Sequence, residues 1–298
     1  MGGDDEGKQT HSRMSEITFS IGGRQLLVAG GDDLERLMAI PGMAPFRVPS
    51  DGKADMTVLL EQPLPEPQTT TLHTFEIADG NIDCSLGKDA DGVYYYTFST
   101  GSRLCFDPRQ PERTLLSPSD NYNVLRFALW TAYTMMGLWQ GVQLVHTSTV
   151  VWHGQAVLCL GESGTGKSTH TRLWRENIEG SFLLNDDSPV VSVRDGKVEV
   201  YGSPWSGKTP CFRTDHYPVA AFLRLRQAKE NRIKRLSTIE AFCALQPSCP
   251  PATSHDTLLL DRQSDFVGDM ISRVPAYILE CLPNGDAARL SNTTIFGK

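Results

Sequence analysis

The chain has 298 residues, enough for two modest domains or one large one. Its 40% hydrophobic and 21% charged residues are ordinary for a globular protein, and a formal charge of −7 argues against a nucleic acid as the main partner. The seven cysteines are scattered, odd in number and never in a CxxC pair, which argues against a disulfide framework or zinc site and predicts a reducing, cytoplasmic home.

Residues 1–15 lack the apolar core of a secretory signal and read as a disordered leader, with Met14 as an alternative start. Residues 16–118 read as a smaller β-rich N-terminal domain. Alternating or β-branched runs at 17–21, 25–29, 74–77 and 93–98 are separated by Gly22-Gly23, Asp79-Gly80 and Asp91-Gly92, which are hairpin signals. The proline-rich stretch 62–68 is expected to be a loop or edge, since proline removes ladder donors. Residues 108–118 read as a connector.

From 119 to 298 the pattern alternates between helix and strand. Ser119 or Asp120 is placed to cap a helix running to about Gln140. Its apolar stretch, 127–139, is too short to cross a bilayer and predicts a buried helix; no membrane partner is called for. Strands are expected at 143–152 and 156–160 across a His153-Gly154 turn, then at 182–184, 190–193, 197–201, 219–225 and 276–282. Helices are expected from 169, around 241–245 behind a Ser237/Glu240 capping box, and over 261–273. The basic run 224–235 reads as a solvated strand and turn.

The chemistry gathers at residues 161–169, GESGTGKST, between an apolar strand and a helical pattern. This is the P-loop spacing. Gly161, Gly164 and Gly166 let backbone N–H groups turn inward toward phosphate oxygens, together with those of Glu162, Ser163, Thr165 and Thr169. The positive end of the following helix adds to the field. Lys167 supplies a point charge for the outer phosphates of ATP, and Ser168 a hydroxyl for Mg²⁺. Asp186-Asp187, 19 and 20 residues after Lys167, deliver two carboxylates to the end of a strand. One can hold the metal while the other takes a proton from an attacking hydroxyl.

The segment HTSTVVWHGQAVLCLGESGTGKST resembles the core of HPr kinase/phosphorylase. There a histidine opens a strand, a hairpin turn follows, and a second strand enters a GESGxGKS loop. His146 stands 15 residues before Gly161, the position of that family's active-site histidine. The family's Leu-x-Ala-Asp-Asp segment is matched by Leu184-Asn-Asp-Asp187, and its metal-holding glutamate segment, Glu-Ile-Arg-Gly, by Glu199-Val-Tyr-Gly202. PEP carboxykinases share this logic on a related fold. The resemblance covers about residues 142–201, with a weaker echo through 202–208 of HPr-kinase-like bacterial proteins. Tyr201 replaces the arginine, no RPGRN-type loop is found, and the N-terminal region does not match. The kinase core therefore carries over, while HPr as substrate does not.

The resemblance implies an α/β fold, a PEP carboxykinase/HPr kinase-like P-loop core with a mixed sheet. It implies ATP as phosphoryl donor and Mg²⁺ as cofactor, with Asp186 as base and His146 and Lys167 beside it. Ser168, Asp187 and Glu199 would face the metal. Lys208 and Arg213 are candidates to neutralise transition-state charge or are plain surface charges; Trp205 either lines a pocket or packs a corner. His153, His170 and His216 lack companions at metal-ligand spacing and read as structural. The leading reading is a kinase acting on a hydroxyl of an unidentified small molecule or protein. A carboxykinase-type enzyme and a non-catalytic nucleotide-binding regulator are alternatives; no guanine-specifying Asn-Lys-x-Asp appears. The oligomeric state is left open, a homo-oligomer included.

Overall fold

The computed structural model describes residues 15–31, 33–50, 52–60, 62–64, 66–77, 81–207 and 209–297. The leader up to Met14, the Asp79-Gly80 turn, Pro65 and Lys208 lie outside the described residues.

The first half builds one sheet. Its strands are β1 (Ser15–Ile21), β2 (Arg24–Gly30), β3 (Arg47–Val48), β4 (Met56–Leu59), β5 (Thr70–Ile77), β6 (Ile82–Lys88), β7 (Tyr94–Phe98), β8 (Arg103–Phe106) and β9 (Arg113–Leu116), with the short helix α1 (Asp33–Met38) after β2. They lie in the order β3-β1-β2-β4-β9-β8-β7-β6-β5, with β4 parallel to β2 and β9 and the other pairs antiparallel. The expected connector at 108–118 thus contains β9, whose alternation hides Thr114 and Leu116. Described residues 62–64 and 66–69 carry no regular structure, as the prolines require.

Helix α2 (Tyr122–Gln140) follows. Its cap is Asn121, whose side chain accepts from the N–H groups of Asn123 and Val124; neither Ser119 nor Asp120 does this. Gly141 closes it in the left-handed conformation. The helix packs on β4, β8 and β9 and joins their core, which also takes in Val190, Trp205 and Leu259, so packing is continuous across residue 118. No helix among the described residues is long and apolar enough to cross a membrane.

A second mixed sheet carries the candidate site. It comprises β10 (Val142–Leu144), β11 (Thr147–Trp152), β12 (Gln155–Leu160), β13 (Phe182–Asp187), β14 (Val190–Arg194), β15 (Lys197–Tyr201), β16 (His216–Gln227), β17 (Arg232–Arg235) and β18 (Ala276–Cys281). Their order is β10-β14-β15-β16-β12-β11-β13, with β18 beside β16 and β17 beside β18. Central strand β16 runs parallel to β12 and β18. The helices are α3 (Lys167–Asn177), α4 (Thr238–Leu245), α5 (Thr257–Arg273) and α6 (Gly285–Phe296). The Ser237/Glu240 capping box is present on α4. The protein is thus a mixed α/β structure with two large mixed sheets.

Beneath α3 lies a buried polar cluster. The Trp174 indole N–H donates to His170 Nε2 at 3.1 Å and to Ser291 Oγ of α6 at 2.9 Å. Burial pushes the His170 imidazole down to about 4 from 6.5. The unfolded chain therefore takes up this proton first as pH falls. The stabilisation is fully present above pH 6.5 and is lost progressively between 6.5 and about 4. The pKa difference corresponds to about 3 kcal/mol. Urea melts at pH 7 and pH 4.5 should show this loss, and His170→Gln should reduce it.

Candidate functional site

The run expected as one strand at 143–152 is broken at Val145-His146. β10 pairs with β14 and β11 with β12 and β13, so the chain leaves one part of the sheet for another at that point. The His146 backbone N–H, outside either ladder, donates to the Ser248 carbonyl at 2.7 Å. Its ring is left free to face the end of β13. The β11–β12 hairpin turns at His153 (φ 47°) and Gly154 (φ 73°), the left-handed pair of a tight two-residue turn. That register sets Leu160 to deliver the chain into the glycine-rich loop.

Within the loop Gly164 and Gly166 have φ of 79° and 106°, and a Cβ on either would meet nothing within 4 Å. Their open faces line a cleft. Gly166 caps α3 without any side-chain bond to the first turn, so the leading N–H groups of the helix keep their polarity directed at the cleft. Lys167 folds back over the loop: its Nζ donates to the carbonyls of Gly161 at 2.7 Å and Glu162 at 3.2 Å. Burial, reinforced by nearby Arg224, lowers its pKa, against the opposing pull of Asp187 and Asp186.

The two aspartates have different surroundings. Asp186 is 5% exposed and lies opposite Ser148 in the β11–β13 ladder. Its Oδ1 accepts from Ser168 Oγ at 2.9 Å. This joins two hard oxygen atoms that could hold a metal, one from the start of α3 and one from the end of β13. Asp187 turns the other way, with φ of 152°, a costly value for a non-glycine residue at roughly 1–3 kcal/mol. Its Oδ1 accepts from His146 Nδ1 at 3.2 Å and its Oδ2 from Ser188 Oγ at 3.0 Å. Burial raises the Asp187 carboxyl, but the hydrogen bond from His146, the Ser188 bond and nearby Arg126 outweigh it and leave the group below the usual range.

His146 bridges Lys167 and Asp187. Lys167 Nζ lies 3.0 Å from His146 Nε2. An ammonium only donates, so Nε2 accepts and the ring proton stays on Nδ1, directed at Asp187. The result is a continuous Lys167–His146–Asp187 chain. His146, Lys167, Ser168, Asp186 and Asp187 thus meet with Ser163, Gly164, Gly166 and Thr169 around a cleft of about 320 Å³. Glu199 is elsewhere: it lies on β15, accepts from the Tyr201 hydroxyl at 3.2 Å, and does not line that cleft. Arg213 stacks over the Phe182 ring at 4.9 Å and does not line it either.

Three supporting residues are less visible in the sequence. Asn185, wholly buried, donates from Nδ2 to the Ser203 hydroxyl at 3.3 Å and the Trp205 carbonyl at 3.1 Å, tying residues 203–207 beneath the aspartates. Gly207 donates to the Asp186 carbonyl at 2.6 Å, and a Cβ there would come within 2.9 Å of that oxygen. Gly207→Ala is expected to cost about 1–3 kcal/mol by overpacking and to depress turnover through displaced carboxylates, read by thermal melts and nucleotide turnover. Arg224 is the third. In the basic run, Arg226 and Arg232 pair with Glu280 and Lys234 with Glu240, as a solvated strand and turn would. Arg224, opposite Leu160 on β16, is only 20% exposed and reaches Glu162 of the loop at 3.4 Å. Its place between buried Leu223 and Leu225 is the signal that separates it from its neighbours.

Two further cavities adjoin the cleft. One of about 330 Å³ shares Gly164, Gly166 and Thr169 and is walled by Leu173, Leu225, Leu282 and Pro283. The other, of about 430 Å³, shares His146 and Asp187 and holds Trp205, which is 2% exposed and packs on Tyr133 with ring centres 5.6 Å apart. Among the described residues no group of three or more His, Cys, Asp or Glu is arranged to hold a metal.

No protein-family model matches the sequence. No curated protein matches it. Among solved structures, the Hpr(Ser) kinase/phosphatase from Coxiella burnetii is similar in part, with 11% identity over 51% of this chain and 97% of that one and a TM-score of 0.31.

Proposed function

We propose that the protein is an ATP- and Mg²⁺-dependent kinase whose P-loop is residues 161–168, transferring the γ-phosphoryl group to a hydroxyl. The observation that carries this reading is the division of labour between the aspartates. Asp186 shares a hydrogen bond with the loop hydroxyl Ser168, and Asp187 ends the Lys167–His146 chain. A protein that only bound nucleotide would need the first pair and not the second.

The residues suit the ligands. The open faces of Gly164 and Gly166, the uncapped start of α3 and Lys167 form a cradle for phosphate oxygens. The apolar cavity beyond Thr169 suits a flat base. Ser168 Oγ and the Asp186 carboxylate are a donor set for Mg²⁺, which takes one or two protein oxygens and fills its remaining positions with water and phosphate. The ion would neutralise charge on the phosphates. The assignment from sequence is thereby exchanged: Asp186 becomes the metal ligand and Asp187 the base, and Glu199, bonded to Tyr201, is left without a metal role.

Asp187 then receives the acceptor proton. His146 orients its carboxylate, and Lys167 keeps His146 in the Nδ1-protonated form. Arg224 pairs with Glu162 and so steadies the start of the loop from the β16 side. The test is to incubate the protein with ATP, Mg²⁺ and a panel of hydroxyl-bearing acceptors and compare wild type with Asp187→Asn. ATP binding without turnover in either protein would favour a nucleotide-binding regulator instead.

A further inference from the structure

The cavity of about 430 Å³ on the other side of His146 and Asp187 is not part of the nucleotide cradle. Its walls are apolar and aromatic: Phe127 and Trp130, one turn apart on α2, stack with ring centres 5.7 Å apart, and Trp205 and a proline-rich wall at 247–251 close the rest. The wall is held in place. Ser248 accepts from the His146 backbone, and Thr253 Oγ1 donates to the Pro250 carbonyl at 2.6 Å. Volume and composition are those of a pre-formed small-molecule pocket.

The polar groups converge at one end. Asp187 and His146 are there, and so is Arg126, which makes no ion pair among the described residues; its Nη2 donates to the Ser206 carbonyl at 3.3 Å. Ser206 pairs with Asp187 in an isolated antiparallel bridge, which brings Arg126 beside Asp187. A base and an unpaired guanidinium side by side call for a hydroxyl and a carboxylate on neighbouring carbons. The stacked rings call for a flat body beyond them.

We propose that this cavity binds the phosphoryl acceptor, and that the acceptor is a small 2-hydroxy carboxylic acid bearing an aromatic group. The inference rests on the kinase reading above. In the reaction, the acceptor hydroxyl oxygen forms a bond to the γ-phosphorus of ATP as the bond to the β–γ bridging oxygen breaks. ADP leaves with that electron pair, and the hydroxyl proton passes to Asp187. Arg126 holds the carboxylate, and Phe127 and Trp130 hold the ring.

The test uses the full chain with ATP, Mg²⁺ and 3-phenyllactate, following phosphorylated product by ³¹P NMR. Lactate, which lacks the ring, and 3-phenyllactamide, which lacks the charge, are the comparison acceptors. Phenyllactate should be phosphorylated with kcat/KM at least tenfold above either. Phe127→Leu, Trp130→Leu and Trp130→Ala should each lower that value about tenfold or more, and Arg126→Gln should erase the preference for acid over amide. The ATP-induced melting shift, measured in every variant, reports whether fold and nucleotide site are intact. The proposal is overturned if ATP stabilises the protein but phenyllactate is neither phosphorylated nor quenches tryptophan fluorescence, or if the variants leave its kinetics unchanged. Absence of ATP stabilisation in wild type would instead remove the kinase reading and this inference with it.

Discussion

Lys167→Ala is expected to abolish the stabilisation that ATP and Mg²⁺ confer on the protein. In wild type a nucleotide at a hundredfold excess over its dissociation constant adds about 2.7 kcal/mol, a melting shift of several degrees for a chain of this length. Among the described residues Lys167 is the one ammonium lining the cleft, and its Nζ is held by the Gly161 and Glu162 carbonyls beside the open glycine faces. Losing it removes the charge for the outer phosphates. It also releases His146, since the bond to Nε2 disappears. Differential scanning calorimetry with and without ATP reads the effect. An undiminished shift in the mutant would mean that the loop is not the phosphate site.

The aspartates should separate in their kinetics. Asp187→Asn keeps the shape of the side chain and its acceptance of the His146 bond, but removes the carboxylate that takes the proton in the proposed reaction. Turnover should fall about 10²–10⁴-fold, the usual contribution of a general base, with ATP binding retained. The low position of the Asp187 carboxyl keeps it ionised throughout the neutral range, so its own titration should not limit activity above about pH 5. Asp186→Asn should instead raise the Mg²⁺ concentration needed for half-maximal activity at least tenfold, because one of two oxygen ligands loses its charge. Magnesium titrations of the two variants distinguish the roles. The reverse pattern would restore Asp186 as base and Asp187 as metal ligand.

Much of this arrangement was legible in the residues because it is local. A glycine spacing between an apolar run and a helical pattern places the loop wherever the rest of the chain goes, and the His153-Gly154 turn sets the register of the hairpin feeding it. The capping box of α4 reads off four residues. Long-range placement was not legible. Nothing near His146 in sequence says that Ser248, 102 positions later, takes its backbone N–H, or that the strand breaks there. Glu199 alternates correctly on its strand, but alternation does not say which of the sheet's faces meets the loop; β15 turns it to Tyr201. Arg224 was absorbed into a basic run because charge patterning cannot see that one member lies between two buried leucines. Asn185 showed no signal of its own, since its role depends on residues 203–205 folding back over it. Helix α6 gives no clear periodicity, because its few apolar residues are interleaved with Ser, Asn and Thr, and its packing on α3 supplies what periodicity does not.

The central claim is phosphoryl transfer from ATP at this cleft. The most direct measurement is ADP formation by wild type and Asp187→Asn under saturating ATP and Mg²⁺ with a panel of hydroxyl-bearing acceptors, nucleotide binding being followed in the same samples by the melting shift. The account predicts Mg²⁺-dependent ADP formation in wild type that falls at least a hundredfold in Asp187→Asn while both proteins remain stabilised by ATP. Equal ADP formation by the two proteins, or ATP stabilisation of wild type with no ADP formed, would contradict it.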